Sequence, residues 1–105
     1  VPQFAVYRNE NSRTRSAFPF LVDVQPDLFE DLRTRVVIPL TRAVELTEYP
    51  LTYLTPILTF EGASYMLMTP QIAGIARADL GVHAGSVAEQ WWAIQAAVDF
   101  MMRGF

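Results

Sequence analysis

The stretch FLVDVQPDLFEDLRTRVVIPL, Phe20 to Leu40, decides how the rest of the chain is read. Phe18 to Val24 has the composition of a strand, with Pro19 near its start, where a missing N–H does least harm. Pro26-Asp27 ends it, and Leu28 to Leu32 is a short apolar-acidic segment between turn residues. Arg35 to Leu40 is β-branched enough to lie at the centre of a sheet. Pro39 removes one ladder donor inside that run, so a bulge, bend or edge is expected there.

Short strands continue on both sides of this stretch. Gln3 to Tyr7 alternates in the manner of a strand, and the polar run Arg8 to Ser16 reads as a long exposed loop of the kind that often carries function. Tyr53-Leu54, Ile57 to Phe60 and Ser64 to Met68 continue the strand pattern, the last two forming a hairpin about Glu61-Gly62-Ala63. Gln71 to Ala76 reads as a further short strand and Arg77 to Gly85 as a loop. Beyond it the period changes. Ser86-Val87-Ala88-Glu89 matches a capping box, and Val87, Trp91, Ile94, Val98, Met101 and Phe105 then recur at helical spacing, with Ala88, Trp92 and Met102 on a flank and Gly104 as the C-cap. Trp91, Ile94 and Val98 are expected in the core, and Met102, Arg103 and Phe105 on an interaction surface of aromatic, Met and Arg type.

Composition narrows the function. A chain of 105 residues that is 51% hydrophobic and 18% charged has material for one packed domain over residues 1–105. A domain of that size buries a low fraction of its surface, so an apolar partner surface, most simply a second copy, is expected. Eight Arg against eleven acidic residues leave a net charge of −3, too little positive field for the chain to hold nucleic acid by itself. With no cysteine, there is neither a disulfide framework nor a thiolate metal site. Without a transmembrane run or a leader-like start, the expectation is a cytoplasmic protein with no membrane partner.

The catalytic inventory is thin. His83 is the single histidine, in a segment that reads as an exposed loop, and the acidic group Asp23, Asp27, Glu30 and Asp31 reads as solvated caps and turn formers. The five glycines are scattered, so no phosphate-cradling loop is formed, and no metal or cofactor is expected. A ribonuclease reading takes Arg13 or Arg15 as transition-state stabiliser with His83 or Asp23 as base; the spacing does not select these residues, and the negative charge opposes an RNA grip.

Five segments together carry a resemblance: Gln3 to Tyr7, Phe20 to Leu28, Thr34 to Leu40, Tyr65 to Thr69, and Ala97 to Phe105. In that order and spacing the sequence resembles the CcdB family of toxins. The resemblance implies an α+β, mainly β fold: an SH3-like antiparallel sheet with a small second sheet and one C-terminal helix. It also implies a non-enzymatic, homodimeric toxin of a type II toxin–antitoxin system, of the kind that serves plasmid maintenance. Such a toxin binds the A subunit of DNA gyrase and traps the complex with cleaved DNA. A CcdA-type antitoxin neutralises it, and the two co-repress their operon, reaching operator DNA only as a complex. Carried over by position, the gyrase-facing residues are Leu28, Phe29, Asp99, Met102, Arg103, Gly104 and Phe105. The family's common ending Trp-Gly-Ile reads Arg103-Gly104-Phe105 here. Two alternatives accompany this reading: a ribonuclease toxin of the related fold, and a family member that binds antitoxin but has lost gyrase poisoning.

Overall fold

The computed structural model describes residues 2–43 and 53–104. Among the described residues seven strands, β1 (Ala5–Arg8), β2 (Phe20–Asp23), β3 (Thr34–Arg42), β4 (Ile57–Phe60), β5 (Ala63–Leu67), β6 (Ala73–Ala76) and β7 (His83–Ser86), precede one helix, α1 (Trp91–Arg103). All the pairings are antiparallel, and the sheet runs β4-β5-β3-β2-β1-β7, with β6 also paired to β3. This is the mainly β α+β fold expected, its extra strands joined to the main sheet through β3.

β3 is the strand on which the topology turns. One edge pairs with β2, from Phe20 opposite Leu40 to Asp23 opposite Val37. Its other edge is divided: Thr34 to Val37 pair with β6, and Leu40 to Arg42 with β5. Pro39 stands between the two. Its carbonyl accepts from the Met68 amide at 2.9 Å, so its missing N–H faces the same side, where the chain leaves β5 for the 3-10 turn Thr69–Gln71 and enters β6. The bend or edge expected at Pro39 is this change of partner, which needs no donor from it.

Alternation sets the two faces of the sheet. Val6, Phe20, Val22, Ile38, Leu40, Leu58, Phe60, Tyr65 and Leu67 bury one face, and Val87, Ile94 and Ala97 close over it. Phe20 lies edge-on to Phe60 and Tyr65, with ring centroids 5.2 and 5.5 Å away, the quadrupole-favoured arrangement for aromatic pairs. Phe4 joins this core from a left-handed backbone conformation (φ 69°), held there by its N–H to the Asp23 carbonyl at 2.6 Å and by the Val87 N–H to its own carbonyl at 3.0 Å. The β4–β5 hairpin turns on two residues, Glu61 (φ 50°) and Gly62 (φ 77°), with Phe60 opposite Ala63. Two successive positive φ angles match the right-handed twist of the flanking strands.

Several sequence expectations are corrected. Tyr53-Leu54 lies in a turn, and the Gln71–Ala76 run forms a strand only from Ala73. The Arg77–Gly85 loop contains a 3-10 turn, Arg77–Asp79, and then most of β7, because the free edge of β1 offers a ladder to any extended segment beside it. The Ser86–Glu89 capping box is replaced by a local turn in which the Ser86 hydroxyl accepts from the Ala88 amide at 3.1 Å, followed by the 3-10 turn Ala88–Gln90. A 3-10 turn advances 120° per residue against 100° in an α-helix, so three such residues carry the start of α1 about 60° further round. Trp91 therefore leaves the stripe begun at Val87 and is 54% exposed, while Ile94 and Ala97 occupy the core and Val98 packs at its margin. At the far end Gly104 (φ 79°) caps the helix, its N–H donating to the Phe100 carbonyl at 2.7 Å, as expected.

Two glycines that the sequence does not distinguish should behave oppositely. A Cβ on Gly81 would run into the Arg8 carbonyl oxygen and the Glu10 side chain, whereas one on Gly74 would meet nothing. Gly81→Ala is expected to destabilise by about 1–3 kcal/mol and Gly74→Ala to stay within about 0.5 kcal/mol of wild type, both read by urea denaturation.

Candidate protein-binding surface

The second face of the sheet has a polar centre. Asp23 on β2 and Arg35 on β3 are both fully buried and joined twice, Nε to Oδ2 at 2.7 Å and Nη2 to Oδ1 at 3.0 Å. Asp23 is thus a buried ion-pair partner, not the solvated turn former expected. The cause is register: Asp23 lies opposite Val37, which puts Arg35 on its diagonal on the same face, within reach of a bidentate fork. Hydrogen bonding to Asp23 raises the Arg35 pKa above its ordinary value. Burial, and then the Asp23 carboxylate, push the Tyr7 phenol above the usual tyrosine value. The ribonuclease assignment loses Asp23 as a base, since its carboxylate is committed and shielded from solvent. His83 is exposed, as expected, but sits on β7 opposite Tyr7 with the rings edge-on at 5.4 Å; Arg13 and Arg15 lie exposed on the loop after β1.

From this pair a network runs into the segment between β2 and β3. The Gln25 amide donates to Asp23 Oδ1 at 3.0 Å. Its side chain then donates through Nε2 to the Phe29 carbonyl at 2.7 Å and accepts through Oε1 from the Val36 amide at 3.0 Å. The Glu30 carbonyl takes Arg35 Nη1 at 3.4 Å and Arg77 Nη1 at 3.0 Å. At the other side Asp27 Oδ1 accepts from the Gln3 amide at 2.7 Å. The product is a 3-10 turn, Asp27–Phe29, held through the Asp27 carboxylate and the Phe29 and Glu30 carbonyls while Leu28 and Phe29 stay exposed. Leu28 is 85% exposed and Phe29 48%.

α1 supplies the other expected segment. Met102 is 73% exposed, Arg103 and Gly104 are exposed, and Asp99 is half-buried, accepting from Gln95 Nε2 at 3.2 Å. Phe105 lies outside the described residues. The turn and the helix meet at their bases: Gln25 and Pro26 line a small depression together with Ile94, Gln95 and Val98. Six of the seven carried-over residues thus lie on the Asp27–Phe29 turn and at the end of α1. No group of three or more His, Asp or Glu able to hold a metal gathers among the described residues, and none of their helices is long and apolar enough to cross a membrane.

A second apolar surface lies on the flank of α1 to which the helical spacing assigns Trp92. Trp92 is 65% exposed and lines a groove of about 550 Å³ on the outer side of α1 with Tyr53, Thr55, Pro56, Ile57, Ala93 and Ala96. Adjacent helical residues point about 100° apart, so Trp91 and Trp92 cannot both face one sheet; that pairing was the available signal. The long polar loop is also more ordered than its composition suggests. Asn9 donates through Nδ2 to Thr14 Oγ1 at 2.9 Å and to the Phe18 carbonyl at 2.8 Å, and accepts from the Asn11 amide at 3.0 Å.

The buried pair makes two outcomes measurable. Arg35→Met alone should cost about 3–5 kcal/mol by leaving Asp23 unpaired, and adding Asp23→Leu should recover much of that loss, because the uncompensated charge goes with it. Urea denaturation of the single and double variants checks this. The raised Tyr7 pKa means that the phenol ionises less readily folded than unfolded. The stability this contributes is present below the unfolded value of about 10 and is lost as pH rises through the folded value. Ultraviolet titration should show a late-ionising tyrosine that vanishes in Tyr7→Phe.

No curated protein matches the chain. A family model described as CcdB protein does, over residues 3–104. That span takes in every strand, the clamped turn and the helix, in the order that the resemblance implied. The chain belongs to the CcdB family, the toxins of toxin–antitoxin pairs.

Proposed function

We propose that this toxin works by binding rather than by chemistry, that its target is the A subunit of DNA gyrase, and that it holds the gyrase–cleaved DNA complex. What carries the reading is a clamped turn displaying Leu28 and Phe29 beside a helix whose end displays Met102 and Arg103, in a chain that matches the family from Gln3 to Gly104. Large exposed apolar side chains on a fixed backbone suit a wedge, because little conformational entropy remains to be lost on docking. A wedge that binds the open, cleaved state of its target more tightly than the closed one shifts the population toward the open one.

The same proposal places the chain in the cytoplasm as a homodimer, neutralised by a CcdA-type antitoxin with which it represses its operon. Trp91, Trp92, Tyr53 and Ile57 give it more exposed apolar surface than the target-facing residues need, which supports further protein contacts. Arg103 stands where the family's common ending has Trp. A guanidinium still stacks on aromatic rings, but it repels a basic partner that a Trp would attract. This position favours the one alternative retained, a member that keeps antitoxin binding without gyrase poisoning.

Purified chain, gyrase and supercoiled DNA decide the matter. Linear DNA released by protein denaturant is expected with the wild type, and should fall by about 30-fold, the factor equal to about 2 kcal/mol of lost anchor contacts, in a variant lacking Arg103, Gly104 and Phe105. No cleaved DNA with wild-type protein that still binds its antitoxin selects the alternative. Degradation of RNA without gyrase overturns both.

A further inference from the structure

We infer that Arg77 is a positioning residue for the target-binding turn, an inference that rests on the reading of Leu28 and Phe29 as target contacts. Arg77 lies 47 residues from Glu30, at the start of the 3-10 turn after β6, and touches the turn region twice. Its backbone N–H donates to the Arg33 carbonyl at 2.6 Å, extending the β3–β6 ladder by one bond. Its side chain then reaches back, Nη1 donating to the Glu30 carbonyl at 3.0 Å.

The need for such a residue comes from exposure. Leu28 has almost no packing to hold it, and the three backbone bonds that shape the turn are short-range: Phe29 to Pro26 at 2.9 Å, Glu30 to Asp27 at 3.1 Å and Leu32 to Phe29 at 3.2 Å. A one-turn 3-10 segment with no buried residue does not hold its shape by itself. The carbonyls of Phe29 and Glu30 must be held from outside. Gln25, just beyond β2, and Arg35 on β3 do so, both tied to Asp23, and Arg77 does so from the end of β6.

Arg77 differs from the other two, which are buried, in being exposed. Removing its side chain leaves Asp23 and Arg35 joined and the core untouched. Its loss should therefore loosen the turn without unfolding the protein, which separates a positioning role from a structural one. The planar fork of Arg is not essential to a single bond on a carbonyl, so an ammonium at the same place should serve.

The test compares Arg77→Met, Arg77→Lys and Leu28→Asp in the full chain. Amide hydrogen exchange, thermal melting and affinity for the purified A subunit of gyrase are measured for each. Arg77→Met should speed exchange at Phe29, Glu30 and Leu32 by about tenfold, one weak hydrogen bond's worth, while Val22 and Ile38 exchange as in wild type. Affinity should fall by a similar factor, mostly through faster dissociation, and Arg77→Lys should restore most of both. Wild-type exchange at those three amides in Arg77→Met overturns the inference. So does faster exchange spread over the whole sheet with a lowered melting temperature, which is ordinary destabilisation. Leu28→Asp that binds gyrase as tightly as wild type removes the target-contact reading and the functional part of this inference with it. The exchange pattern still decides whether Arg77 holds the turn.

Discussion

The Asp23–Arg35 pair is the interaction on which the rest of the structure depends. Two full charges withdrawn from water are tolerated only when each is met by its partner and by further hydrogen bonds. Here the carboxylate accepts two guanidinium bonds and the Gln25 amide, while the guanidinium also reaches the Glu30 carbonyl. Because the two residues sit diagonally on neighbouring strands, a slip in the β2–β3 register would leave both charges buried and unpaired. The pair therefore fixes register at the centre of the sheet and anchors the segment that leaves it.

Around that centre the two faces of the sheet have different roles. One is apolar and is closed by α1 through Ile94 and Ala97. The other carries the ion pair, with Tyr7 close enough for its phenol to respond to the Asp23 carboxylate. Pro39 allows the arrangement to branch, since the edge of β3 it faces changes from β6 to β5 at its position. The described residues of a small chain thus make a seven-stranded sheet while leaving Leu28, Phe29, Trp92 and Met102 at its surface. Apolar side chains placed so, on backbone that is held elsewhere, support the binding role proposed for the chain.

Much of this was legible residue by residue. The β-branched run through Ile38, the hairpin about Glu61-Gly62 and the glycine stop at Gly104 each arise from local chemistry, and each is where its composition placed it. The exposure of Met102 was likewise readable, from its place on the flank of the helical stripe near the helix end, whereas that of Leu28 came only with the family resemblance. Trp91 was not, because its direction depends on a 3-10 turn that no propensity announces. Nor was β7, since His83-Ala84-Gly85-Ser86 has little strand character and is extended because β1 has an edge to fill. Asp23 looked like a solvated turn former for a similar reason: its partner is twelve residues away and reaches it only across the ladder.

The sequence by itself determined the fold class and the family, because period, turn chemistry and the order of segments are properties of neighbours along the chain. Only the tertiary structure decided which residues face which way and what holds the turn Asp27–Phe29. Those depend on register, on the angle at which α1 begins and on side chains such as Arg77 that arrive from distant strands, none of which is local in sequence.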